Sequence, residues 1–295
     1  MVGSSKMFQI FVHVIMILLA LFCLVPFLLL IVSSVTAEST LIQNGYSFFT
    51  TDLDFAAYEY LLLDSTSIVR GYGISAVTTV LGTVINLTIT TLFAYALSRK
   101  DLPGRTFISF FLFFTMLFNG GLVPSYMMWT QVFQIKNSFA ALVVPNLMMG
   151  AFYVIMMRTY FGTNIPDAVI EAGRIDGAGE IRILLRLVLP MSLPILATIA
   201  LLVGLSYWND WLNGLYYIND DKYYGIQVIL NRMLMDSLFI KNNAGTALGS
   251  QLNTQVPTTA VKMAVAVLGA VPVLIIYPFF QKYFVKGITI GAVKG

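Results

Sequence analysis

Glu171-Ala172-Gly173-Arg174-Ile175-Asp176-Gly177-Ala178, followed by Arg182, Leu187, Leu189 and Pro190, concentrates charged and turn-forming residues in an otherwise apolar chain. The chemistry open to such a segment is recognition: carboxylates and guanidinium groups on a short helix make charge-assisted hydrogen bonds to a docking partner. Bond-breaking chemistry has no comparable set. There is no Gly-Lys-Ser or Gly-Lys-Thr, hence no phosphate-cradling loop, and His13, the only histidine, cannot build a triad or a metal cluster. Cys23 is the only cysteine, which excludes an internal disulfide and a cysteine metal site. No catalytic residue and no metal site are expected.

A second group of residues suits sugars. Trp208-Asn209-Asp210-Trp211 sets aromatic rings, which stack on the apolar faces of a pyranose, beside groups that hydrogen-bond its hydroxyls. An interfacial aromatic belt accounts for the tryptophans equally well. Asp210 is costly if it faces lipid, so pathway lining and structural pairing both stay open for it. Asn119-Gly120-Gly121, with Pro124 behind it, either caps a helix before a re-entrant turn or lines a pathway mouth. Tyr126 and Tyr153 complete the candidate substrate-pathway set of Asn119, Tyr126, Tyr153, Trp208, Asn209 and Asp210.

The elements that must hold these residues are membrane helices. The chain is 58% hydrophobic and 11% charged, with a mean hydropathy of +0.83. Six stretches, 7–37, 71–98, 106–135, 137–157, 187–209 and 263–281, contain no Asp, Glu, Lys or Arg. Each can supply the roughly 20 residues that cross a bilayer core of about 30 Å. The expected fold is all-α and polytopic, with six transmembrane helices. The first, preceded by Lys6, is too long for the apolar region of a secretory signal and is read as retained.

With the N-terminus inside, the inner segments carry eleven of the 17 lysines and arginines, as the positive-inside rule requires. Both termini are then cytoplasmic, the loop at about 34–69 is an acidic extracellular one, and Glu171 lies inside. In that inner loop Asn164 and Pro166 mark a helix start, with Asp167 and Glu171 favourable to its dipole. A helix from about Pro166 to Ile175 stops at Gly177 and Gly179. A second amphipathic segment, about Glu180 to Val188, leads to Pro190 and Pro194, which bend the entry to the next span.

The inner loop resembles the EAA loop of ABC importer permeases: Glu-Ala-Ala, three residues, Gly, nine residues, Ile, one residue, Leu-Pro. Here Gly173 stands for the third Ala and Leu187 for the Ile, with Gly177 and Leu189-Pro190 in place and Asp176-Gly177-Ala178 matching a further part of the pattern. The tail from Lys286 to Gly295 resembles the C-terminus of maltose-type (MalG-like) carbohydrate permeases. Phe118 to Pro124 and Trp208 to Trp211 resemble the branch associated with complex oligosaccharide uptake in Gram-positive bacteria, the LplC/YtcP-like permeases.

The resemblance implies a type I ABC importer permease (MetI-like) fold with a cytoplasmic coupling helix, in the bacterial plasma membrane. It further implies a second homologous permease subunit, two ATP-binding subunits that hold ATP and Mg, an extracellular solute-binding lipoprotein and an oligosaccharide cargo. No cofactor in this chain and no nucleic acid is implied. Contact with the ATPase falls to Glu171, Ala172, Gly173, Arg174, Asp176, Gly177, Ala178, Arg182, Leu189 and Pro190, and in the tail to Gly291, Ala292 and Lys294. The expected organisation is 1–69 for the first helix and acidic loop, 70–282 for a permease core with the EAA loop at about 161–192, and 283–295 for a cytoplasmic tail. Two other readings are an importer of peptides, amino acids or polyamines, which the tail argues against, and a secondary transporter, for which no internal repeat or buried relay is visible.

Overall fold

The structure, a computed structural model, describes residues 6–50, 52–63, 65–243 and 258–292. In chain order its helices are α1 (Lys6–Ser34), α2 (Glu38–Asn44), α3 (Ala56–Leu62), α4 (Ser65–Ser98), α5 (Arg105–Leu117), α6 (Leu122–Val132), α7 (Ala140–Val143), α8 (Ala151–Asn164), α9 (Asp167–Ile175), α10 (Glu180–Met191), α11 (Leu193–Trp208), α12 (Leu212–Tyr217), α13 (Ile226–Asn243) and α14 (Thr258–Ala292). No strand occurs among the described residues beyond an isolated bridge between Thr36 and Leu53. The chain divides into two units, Met1–Ile68 with Ile229–Pro272, and Val69–Val228 with Val273–Gly295.

In the first unit α1 is 29 residues long, and its side chains are largely exposed except at the last turn, where Ser33 and Ser34 are buried. That is the surface of a helix whose solvent is hydrocarbon. The acidic loop behind it is not merely solvated. Both Glu38 carboxylate oxygens accept the Thr259 N–H at 2.9 Å and one also accepts that of Ala260 at 2.9 Å, covering two donors that the start of α14 leaves without helical partners.

In the second unit one apolar cluster joins Ala94 and Leu97 of α4, Leu112 of α5, Val154, Met157 and Phe161 of α8, and Ile195, Ile199 and Val203 of α11. It extends without interruption into the inner loop through Ile170 of α9 and Ile183, Leu184 and Val188 of α10.

Three helices, α1, α4 and α14, are long and apolar enough to cross a bilayer. Two further pairs qualify as bent units: α5 with α6, turning by 112°, and α10 with α11, turning by 86°. The first bend falls at Asn119-Gly120-Gly121. The second falls at Ser192, where Pro194 cannot donate to the carbonyl of Pro190 and its ring opposes a continuous helix. The count of six spans is not confirmed among the described residues, and the stretch 137–157 is not one helix. It contains α7, a turn through Pro145 and Asn146, the latter at φ 62°, and only the start of α8. At 14 residues α8 is about 21 Å long, short of a full crossing. Pro145 and Asn146 carry no charge, so a charge-free gap hides them.

Non-helical backbone at membrane depth survives only where other groups satisfy it. Here three side chains from three helices do so: Tyr207 Oη of α11 donates to Val143 O at 2.9 Å, Asn213 Nδ2 of α12 to Pro145 O at 3.0 Å, and Asn86 Nδ2 of α4 to Leu147 O at 2.7 Å. Tyr207→Phe and Asn213→Leu each leave a buried carbonyl unpaired, at a cost of about 1–3 kcal/mol. We expect both to lower the thermal unfolding midpoint in detergent, while Thr88→Ala, an exposed position on α4, leaves it unchanged.

Candidate functional site

Pro166, extended at ψ 135°, precedes the first turn of α9, and Asp167 supplies the acid at its positive end. Asn164 belongs instead to the last turn of α8, where its Nδ2 turns back to Tyr160 O at 3.3 Å, so the helix-start signal rests on Pro166 and Asp167. The helix then separates into two faces. Ala168, Glu171, Ala172 and Ile175 form an exposed stripe at i, i+3, i+4 and i+7, while Ile170 and Gly173 are buried.

Gly173 is buried because α10 passes close to it. A Cβ at this position would stand 3.0 Å from Leu187 Cδ1 and 3.2 Å from Ile183 Cγ1. The two departures from the EAA pattern, Gly173 and Leu187, are therefore packed against each other: a smaller residue on one helix accommodates a side chain of different reach on the other.

The end of α9 is a Schellman turn. Ala178 N–H bonds to Gly173 O at 3.0 Å and Gly177 N–H to Arg174 O at 3.0 Å, with Gly177 in the left-handed region at φ 75°. That geometry explains why Gly177 and Ala178 sit where they do. Beyond the turn, α10 is π-wound over Leu184–Val188 and runs through Leu189 and Pro190 to the 86° bend.

Charges divide between two jobs. Arg174 Nη2 lies 2.9 Å from Asp101 Oδ2 and 2.8 Å from Glu180 Oε1, and Tyr95 Oη donates to the other Glu180 oxygen at 2.6 Å. At the opposite end of α9, Lys100 Nζ lies 2.7 Å from Asp167 Oδ2. The Arg174 hydrogen bond holds the Asp101 carboxyl below the usual carboxylate range, and the Lys100 hydrogen bond does the same for Asp167. Such contacts persist at neutral pH and are lost only on acidification through those depressed values. Arg174, expected to face a docking partner, is exposed and makes both of these ion pairs. Glu171, Asp176 and Arg182 are exposed and make no ion pair among the described residues. Arg182 and Arg186 border a depression of about 510 Å³ with Gly177, Gly179, Ile181 and Leu185.

Ile175 is 86% exposed and Ile181 70%. Neither was among the candidate residues, although the i, i+3, i+4, i+7 stripe through Glu171 points to Ile175. Of the tail residues, Gly291 and Ala292 end α14, and Lys294 lies outside the described residues.

Each of the six substrate-pathway candidates has a partner within the fold. Asn119 Oδ1 accepts the Gly121 N–H at 2.7 Å, and Asp210 Oδ1 accepts those of Leu212 and Asn213 at 3.2 and 3.3 Å, so both hold the turns that start α6 and α12. Asn209 folds back to Leu205 O at 3.0 Å. Trp208 is buried and stacks on Tyr72 at 6.1 Å, and Tyr153 lies against Gly150 and edge-on to Phe152. Tyr126, half-buried, stacks on buried Tyr217 at 5.8 Å, and Lys136 Nζ lies 3.2 Å from its hydroxyl. Neither Tyr217 nor Lys136 was among the candidates. Among the described residues no cluster of His, Cys, Asp or Glu can hold a metal ion.

Comparison with known proteins follows the same lines. Residues 102–290 match the family described as binding-protein-dependent transport system inner membrane component. The chain is 34% identical to the polygalacturonan/rhamnogalacturonan transport system permease protein YtcP of Bacillus subtilis, covering 99% of this chain and 100% of that protein. It is also 34% identical to Protein LplC of Bacillus subtilis, over 92% and 90% of the two chains. A solved chain from a bacterial ABC transporter that imports the acidic polysaccharide alginate superposes with a TM-score of 0.77 at 30% identity, covering 96% of this chain and 99% of that one. This chain belongs to the binding-protein-dependent transport system inner membrane component family and is an ABC importer permease.

Proposed function

We propose that this permease forms half of the translocation pathway of an ATP-driven oligosaccharide importer, with α9 as the helix on which a separate ATP-binding subunit pushes. The observation that carries the reading is the division of α9 into a buried face, continuous with the transmembrane core through Ile170, and an outward stripe of Glu171, Ala172 and Ile175. A helix that is both part of the core and exposed to a partner passes displacement from one to the other as a rigid body. The complex comprises a second permease, two ATP-binding subunits holding ATP and Mg, and an extracellular solute-binding lipoprotein. Both termini of this chain face the cytoplasm.

Support for the cargo comes from relatives named for polygalacturonan, rhamnogalacturonan and arabinooligosaccharide transport and from the alginate importer. The Tyr126–Tyr217 stack beside Lys136 suits a pyranose ring with polar substituents, rings supplying stacking and the ammonium a hydrogen bond.

The test is ATP-dependent uptake by the full complex in proteoliposomes with its binding protein. Glu171→Ala removes one charge-assisted contact, worth about 1.5–3 kcal/mol, and is expected to lower uptake by about tenfold or more with normal membrane insertion. Gly177→Val forces a β-branched residue into the left-handed region and is expected to be at least as damaging. Wild-type uptake in both variants would remove α9 from the coupling path.

A further inference from the structure

The contacts between α9 and α4 were not expected from the inner loop alone. Two ion pairs fasten the two ends of one nine-residue helix to the cytoplasmic end of α4 and the residues just after it. Lys100 takes the first turn through Asp167, and Asp101 takes the last turn through Arg174. The second attachment is extended by Glu180, which bridges Arg174 to Tyr95 Oη within α4 itself. Arg99 contributes to the same corner, its guanidinium 5.9 Å from the Tyr95 ring and 3.9 Å from Asp101. Lys100–Asp167, Asp101–Arg174 and Tyr95–Glu180 lie 67, 73 and 85 residues apart in sequence, so these three are tertiary fastenings and not local helix pairs.

Covalently, α9 is joined only to α8 and α10. Without the ion pairs, a displacement of α9 would reach α4 through the shared apolar core alone. Directional charge pairs at both ends add a second attachment, weak pair by pair at the water surface but joined into a network at the Arg174 end.

Resting on the coupling reading above, we propose that Lys100, Asp101, Asp167, Arg174 and Glu180 form a clamp that makes α9 and the cytoplasmic end of α4 move as one body during the transport cycle. They are positioning residues: α4 is a direct recipient of the stroke, and Arg174 serves the clamp and not the ATPase surface.

The experiment uses the complete importer in proteoliposomes, with Cys23→Ser as background and uptake, ATP hydrolysis and retention of the ATP-binding subunit read in parallel. Lys100→Asp and Asp167→Lys are expected each to lower uptake at least fivefold with the ATP-binding subunit retained and ATP still hydrolysed, and the double exchange to restore at least half of wild-type uptake. In a second arm, Lys100→Cys with Asp167→Cys is expected to be impaired like the single variants, and joining the two by a short thiol cross-linker to restore at least half of wild-type uptake. Single variants with wild-type uptake, a double exchange no better than the singles, or a cross-link that fails to raise uptake would each overturn the clamp. Glu171→Arg run alongside separates the two claims: if it leaves ATP-binding subunit retention and uptake intact, the coupling reading fails, whereas clamp failure alone leaves the Glu171→Arg defect in place.

Discussion

The close approach of α9 to α10 is the constraint on which the inner loop depends. A Cβ at Gly173 would stand 3.0 Å from Leu187 Cδ1 and 3.2 Å from Ile183 Cγ1, so a larger residue needs those side chains to give by a few tenths of an ångström, and Ile170 is buried in the same core as α8 and α11. Interior packing of this density transmits displacement instead of absorbing it. The Schellman turn at Gly177 adds the second requirement, since it ends α9 abruptly and returns the chain along the contact that Gly173 makes possible. A charged loop held only by its two covalent ends would bend under load. This one is seated on the bundle.

The same economy governs the membrane-embedded part. Lipid offers no hydrogen bonds, so every break in a helix has to be matched by a donor from elsewhere in the chain. Asn86, Tyr207 and Asn213 supply three donors to alternate carbonyls of the unwound stretch between α7 and α8, and Asn119 and Asp210 hold the turns at two other breaks. Of the polar residues that suggest a sugar pathway, Asn119, Asn209 and Asp210 each bond to nearby backbone.

Much of this was legible in the chain. The inner loop could be placed, bounded and assigned its turn from Pro166, Asp167, Gly177 and the two prolines, because these residues act through local backbone physics. Long spans were equally clear where apolar runs are continuous, as in α1 and α4. Reading failed where absence of charge was taken for helix, across Pro145 and Asn146. Nor does the chain alone show what Arg174 and Trp208 touch in the fold. Both residue types invite a binding role, and in each case the deciding partner, Asp101 for one and Tyr72 for the other, is far away in sequence and visible only in the fold.

The central claim is that the outward stripe of α9, and not its buried face, meets the ATP-binding subunit. Single cysteines at positions 171, 175, 170 and 183, in the Cys23→Ser background, can be tested for cross-linking to that subunit in membranes with a short thiol-to-amine reagent. The account predicts adducts from positions 171 and 175 and none from 170 and 183. Adducts from 170 or 183, or their absence at 171 and 175 in complexes that transport, would contradict it.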